Sequence, residues 1–163
     1  MLQQIILSCC AVLFVSHITF AQEGTATYAT CDSGWDLFNG RCYFVSEDEK
    51  NWGTAKDDCE LRGSDLITVN GPVENVWLQT LMKDENLDFM WMGANDIRSE
   101  GQFKWVSNGQ GLVFTDWYSR EPNNAGPSKN EDCIHMKKRS GGKTEYKWND
   151  VSCADSNHYI CEK

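Results

Sequence analysis

Glu121-Pro122-Asn123, then Asn130-Glu131-Asp132 immediately before Cys133, then Trp148-Asn149-Asp150 shortly before Cys153, form the run on which the reading of this chain turns. The three segments offer carboxylate and amide oxygens with no thiolate or imidazole among them, the donor mixture taken by a hard, oxygen-seeking cation. That points to calcium. The same groups can also receive hydroxyls, because an amide NH₂ donates, a carboxylate accepts, and the ion takes a hydroxyl lone pair in place of water. A vicinal diol on a sugar suits such a site. Residues on either side of Pro122 can present oxygens in one direction if the preceding bond is cis, which costs about 0.5–1 kcal/mol before proline and roughly 2.5–4 elsewhere. An ordinary loop proline is the alternative.

The first two motifs lie in a long irregular segment, residues 112–132, and a loop of that length in a compact domain is functional or disordered. An ion that gathers its oxygens would order it. Upstream, Trp35, Leu37, Tyr43, Phe44 and Val45 flank Asn39-Gly40, a pair suited to a tight hairpin turn that Cys31 and Cys42 could clip. Residues 51–61 carry Trp52, Ala55, Cys59 and Leu61 near helical spacing, with Asn51 as N-cap and Gly63 past the end. After a short strand at 66–69, Pro72 opens a second helix in which Val73, Val76, Trp77 and Leu81 make a buried stripe. Short strands are expected at 89–92, 103–106, 133–136, 146–148 and 158–161.

Residues 5–15 are apolar and Thr19-Phe20-Ala21 places small residues at a cleavage position, so residues 1–21 read as a secretory signal peptide with the mature chain beginning near Gln22. An uncleaved anchor is the alternative. A spanning helix needs roughly 20 apolar residues, and no such run follows, so no membrane span is expected after cleavage. Residues 22–30 form a short polar arm with no visible oligomerisation segment, which leaves the oligomeric state open. Of eight cysteines, Cys9 and Cys10 fall in the leader and six remain. In a secreted chain that number implies three bridges, and fifteen pairings are open to it. Residues 31–163 suit one domain. The net charge of −9 argues against nucleic acid and anionic lipid as partners. His135 and His158 read as structural histidines, and without a Gly-x-Ser-x-Gly or P-loop motif the chain is not expected to be an enzyme. Lys137-Lys138-Arg139, with Lys143, reads as a solvated basic hairpin tip, the alternative being contact with a sulfated or sialylated glycan.

The helix, helix and strand order, the Trp91-Met92-Gly93-Ala94 strand and the three oxygen-rich motifs resemble the C-type lectin-like domain of secreted calcium-dependent lectins, over residues 31–161. The resemblance implies an α/β fold of the α+β type, with two helices flanking small antiparallel sheets and a long calcium-ordered loop region. It selects the bridges Cys31–Cys42, Cys59–Cys161 and Cys133–Cys153, the first marking the long form of the domain. It implies a sugar-binding Ca2+ held by Glu121, Asn123, Glu131, Asn149 and Asp150, with Asp150 giving its side chain and backbone carbonyl. Val151 would pack against the sugar ring. Glu-Pro-Asn resembles the arrangement that selects mannose, glucose, N-acetylglucosamine and fucose, whereas Gln-Pro-Asp resembles the galactose one.

A second calcium site would use Asp96, Glu100, Asn124, Glu131 and Asp132, with Asn124 standing where an acid is common, a loss of charge that weakens the site. The loop at 124–130 is longer than in the collagenous relatives. The expected partners are glycans or glycoproteins with terminal mannose-type sugars, bound outside the cell in innate recognition or agglutination. A protein-, ice- or mineral-binding protein reusing the fold is the rival reading.

Overall fold

Asn39 and Gly40 take φ angles of 48° and 81° and turn β1 (Asp36–Phe38) back onto β2 (Arg41–Val45), as the pair's tolerance of the left-handed region requires. The computed structural model describes residues 30–125, 130–139 and 144–163. The expected leader, all of the arm but Thr30, Lys143 of the basic turn and residues 126–129 of the long loop lie outside them.

In α1 (Trp52–Leu61) the side chain of Asn51 accepts the Thr54 N–H at 3.0 Å, and Gly63 leaves the helix at φ 69°. Trp52, Ala55 and Cys59 face inward, but Leu61 is 88% exposed. It stands two residues beyond Cys59, about 200° around the helix. The second helix, α2 (Pro72–Asp84), begins at Pro72 as expected and buries a different face. Val73 and Val76 are exposed, Trp77 and Leu81 are half-buried, and the inward residues are Asn75, Leu78 and Met82. A polar residue sets this phase: Asn75 finds buried partners, and the i, i+3, i+7 spacing carries Leu78 and Met82 in behind it.

The strand at 66–69 is shorter than expected, and β3 (Asp65–Leu66) ends before the buried Ile67 and Val69. Ile67 instead bridges two neighbours, donating to Ile160 O at 3.0 Å and accepting from Gly93 N at 2.9 Å. The later strands are β4 (Phe89–Asn95), β5 (Lys104–Trp105), β6 (Cys133–Arg139), β7 (Glu145–Val151) and β8 (His158–Glu162). Their order is β1-β2-β8-β4-β6-β7, with β3 against β8 and β5 against β4. The pairings are antiparallel except for β4 with β8, where Met90 pairs His158 and Trp91 pairs Tyr159 in parallel. The sheet is therefore mixed, a correction to the small antiparallel sheets expected. The excursion between β4 and β8 supplies the long crossover a parallel pair needs.

Two clusters fill the interior. One packs Leu78 and Met82 of α2 on Met90, Met92, Ile134 and Trp148. The other packs Trp52, Ala55 and Cys59 of α1 on Leu66, Trp91 and Tyr159. Between them Gly93 runs so close to Leu66 that a Cβ there would stand 2.5 Å from Leu66 O. The three disulfides are Cys31–Cys42, Cys59–Cys161 and Cys133–Cys153. Both histidines have structural settings: His158 Nδ1 lies 3.1 Å from Ser46 O, and His135 is buried against Phe89 and Trp91. Among the described residues no helix is long and apolar enough to cross a membrane.

Candidate functional site

The oxygen-rich motifs meet because Trp148 anchors β7 to the rest of the core. Its indole N–H donates to Asn75 Oδ1 at 2.8 Å, while Trp105, Phe114 and Trp117 set their rings edge-on to it. Alongside, Trp148 N donates to Asp116 O and Tyr118 N to Trp148 O, both at 2.9 Å, so residues 116–118 run parallel to the strand. Asp116 ties the arrangement together through its carboxylate, which accepts from Asn75 Nδ2 at 2.7 Å, Gln79 Nε2 at 3.0 Å and Lys147 Nζ. The loop is thereby held against β7 as the chain arrives at Glu121 and as the strand arrives at Asn149.

Glu121 and Pro122 are joined by a cis peptide bond. Beyond it Asp150, buried at the end of β7, accepts from Asn123 N at 3.0 Å and Asn124 N at 2.8 Å through Oδ2. Glu131 takes the far side, accepting from Ala125 N at 2.7 Å. Two carboxylates thus lace residues 123–125 to β7 on one side and to the segment leading into β6 on the other. Asn149 donates to the Asp150 carbonyl oxygen, which the sequence reading offered to the ion. Val151 is half-buried against the second cluster.

The second set also comes together. Asn124 donates to Glu100 Oε2 at 2.5 Å and accepts from Glu131 N at 2.8 Å. Asp96 is 3% exposed; its N–H donates to Asp132 O and its Oδ2 accepts from Gly101 N at 2.7 Å.

Among the described residues no three His, Cys, Asp or Glu side chains form a metal cluster by themselves. Half of the expected donors are asparagine amides or backbone carbonyls, and several carboxylate oxygens are turned to backbone N–H groups. The electrostatics nonetheless fit a divalent cation. Glu121 Oε2 and Asp96 Oδ1 are buried carboxylate oxygens without a hydrogen-bond partner among the described residues, one in each expected ligand set. Burial pushes the Glu121 carboxyl up to about 7, helped by a contact with Asp150 that would share a proton and by the charge of Glu131; Lys137 opposes. Burial likewise raises Asp96, with Glu100 and Asp132 adding repulsion against the Gly101 N–H. Like charges drawn out of water at oxygen-rich positions are what a divalent ion would neutralise.

The sequence reading missed the residues behind the site, Asn75, Gln79 and Asp116. A signal existed for the first: a polar side chain in phase with Leu78 and Met82 belongs to the buried face and must have a partner.

The family model described as the lectin C-type domain matches residues 48–163. The perlucin-like protein of Mytilus galloprovincialis is 32% identical over 152 residues, which cover 91% of this chain and 93% of the mussel protein. Other curated relatives are longer, and the chain spans as little as 10% of them. Among solved structures, the mouse scavenger receptor C-type lectin carbohydrate-recognition domain superposes with a TM-score of 0.72 at 29% identity, covering 82% of this chain and 98% of that one. A Ca2+-dependent type II antifreeze protein in its Ca2+-free form superposes with a TM-score of 0.69 at 26% identity, covering 82% and 99%.

Proposed function

The chain belongs to the C-type lectin domain family, and from that premise we propose that it is a secreted, calcium-dependent lectin for mannose-type sugars. The observation that carries the reading is the buried, unpartnered oxygen of Glu121, in a carboxyl raised to about 7, facing Asp150 and Glu131. Glu121, Asn123, Glu131, Asn149 and Asp150 would hold the ion. What a bound calcium supplies is coordination for two neighbouring hydroxyls, in place of water. The chain's own residues do the rest: Glu121 and Glu131 accept the hydroxyl protons, and the NH₂ groups of Asn123 and Asn149 donate to the hydroxyl oxygens. This order of acceptor and donor across Pro122 favours the diols of mannose, glucose, N-acetylglucosamine and fucose. Val151 borders the site as an apolar contact. Asp96, Glu100, Asn124, Glu131 and Asp132 form a second, weaker calcium site that braces the first.

This is binding without covalent chemistry. Residues 1–21 are the leader that directs the protein outside the cell. One shallow site gives weak binding, so recognition or agglutination of particles would draw on many sites at once. A glycan array run with calcium and again with chelator tests the reading: mannose-type glycans should be retained only with calcium, and calcium-insensitive retention would exclude it.

A second reading, a non-sugar binder on the same fold, draws on the likeness to the type II antifreeze protein. Glu121→Gln combined with Asn123→Asp separates the two. A lectin shifts toward galactose, whereas a binder using another face does not respond.

A further inference from the structure

A cleft of about 480 Å³ opens between the start of α1, the end of β4 and the turn leading into β5, apart from the Glu121 to Asp150 site. Its volume lies within the roughly 300–1,000 Å³ of small-molecule sites. Trp52, Trp105 and Val106 give it apolar walls, and Lys56, Arg98 and Lys104 supply its cations. In a chain of net charge −9 this concentration of positive charge runs against the whole. The three cations are not equivalent. Lys56 is already met by Glu60 at 2.5 Å and Asp57 at 3.8 Å. Among the described residues Arg98 and Lys104 have no ion pair, and the side chains of Ser99 and Gln102 beside them have no hydrogen-bond partner. Arg98, Ser99, Gln102 and Lys104 are all exposed, so their donors are open to a ligand at the mouth of the cleft. The lone carboxylate in the lining, Asp96, is 3% exposed and has one oxygen on Gly101 N, so it presents little charge outward.

We propose that this cleft is a metal-independent site for a sulfate or phosphate ester carried on a saccharide-sized skeleton. Three outward oxygens on such a group suit donors arriving from several sides, with Arg98 able to bind two of them as a fork and Lys104 as a point charge. The carbon skeleton sits over the small part of Trp52 and Trp105 that the cleft leaves uncovered, 5% and 2% of their surfaces. The site does not require calcium.

The test is a heteronuclear NMR titration of the protein in chelator with N-acetylglucosamine 6-sulfate, N-acetylglucosamine and inorganic sulfate in turn, reading the indole N–H signals of Trp52 and Trp105. Repeating it in calcium with saturating methyl mannoside keeps the outcome independent of the lectin reading. The sulfated sugar is expected to shift both signals saturably in both buffers, inorganic sulfate to bind at least about tenfold more weakly, and the neutral sugar to leave them unmoved. Arg98→Ala with Lys104→Ala should weaken the sulfated sugar about tenfold or more, the scale of losing charged hydrogen bonds. The charge-matched exposed pair Lys83→Ala with Arg62→Ala, neither of which lines the cleft, should bind as the wild type. Unmoved indoles with every probe, equal affinity for free and esterified sulfate (an adventitious ion only), or equal losses in the two double variants would each overturn the proposal.

Discussion

Trp148 and Asn75 are joined across 73 residues of sequence by a buried hydrogen bond of 2.8 Å, indole N–H to amide oxygen. The bond ties α2 to the strand that carries Asn149 and Asp150. Asn75 also donates to Asp116, and Asp116 fixes the backbone on which the chain approaches Glu121. One amide therefore orients both halves of the site.

Asn75→Ala leaves the Trp148 N–H without its acceptor and takes a donor from Asp116. The expected cost is about 1–3 kcal/mol of folding stability, read from denaturant unfolding in chelator. Outer-shell partners of a metal site commonly change affinity by about tenfold or more, so calcium titration should show a loss of that order. Asp116→Ala should behave alike, and the double variant should lose less than the two single losses added together.

Gly93→Ala should destabilise by about 1–3 kcal/mol through overpacking, because its Cβ would meet the backbone oxygens of Leu66 at 2.5 Å and Ile67 at 3.0 Å. Neither is a flexible side-chain end. Gly40→Ala meets nothing within 4 Å and bears only the strain of φ 81°, a cost of about 1–2 kcal/mol. Thermal unfolding should show both losses. Trimming Leu66 should help neither, since its backbone is what Gly93 approaches.

The hairpin at Asn39-Gly40, the Asn51 cap and the start of α2 at Pro72 were legible because each depends on backbone chemistry local to a few residues. The bridge pattern was legible through resemblance. The buried face of α2 was not: Val73 and Val76 are the stronger apolar signal, and only the fold shows that Asn75 has Trp148 and Asp116 waiting for it. The parallel pairing of β4 with β8 was hidden for the same reason, since the partners are far apart in sequence. The basic turn was legible as charge but not as pairing, for Lys138 stands 2.9 Å from Asp88.

His135 gives a pH dependence of folding with a defined sign. Burial, then the charge of Lys137, lowers its pKa to about 3, against a weak contact with Asn157 that raises it. The folded state thus binds the proton less tightly than the unfolded chain. Its unfavourable contribution is absent above the unfolded value of about 6.5 and grows as pH falls toward 3. Between pH 7.5 and 5.5 the wild type should lose about 1 kcal/mol more than His135→Asn. The slopes of stability against pH decide this, whatever the absolute stability of the variant.

Calcium affinity should fall with acid in a higher window. A carboxyl at about 7 keeps its proton just where the ion needs an anion, so proton and calcium compete for Glu121. From pH 8 to pH 6 the ionised fraction of such a group falls about tenfold. Apparent calcium affinity should fall by about that factor, measured by titration at fixed ionic strength. A flat profile over this range would show that Glu121 is not a ligand.

Binding of methyl α-mannoside to the mature protein, followed calorimetrically in calcium, in chelator, and with Glu121→Gln plus Asn123→Asp in calcium, reaches the lectin proposal most directly. Saturable heat in the first condition, none in the second, and a switch of preference to methyl galactoside in the third is the expected result. Mannoside binding that survives chelator, or that ignores the paired substitution, would contradict a sugar held through calcium at Glu121 and Asn123.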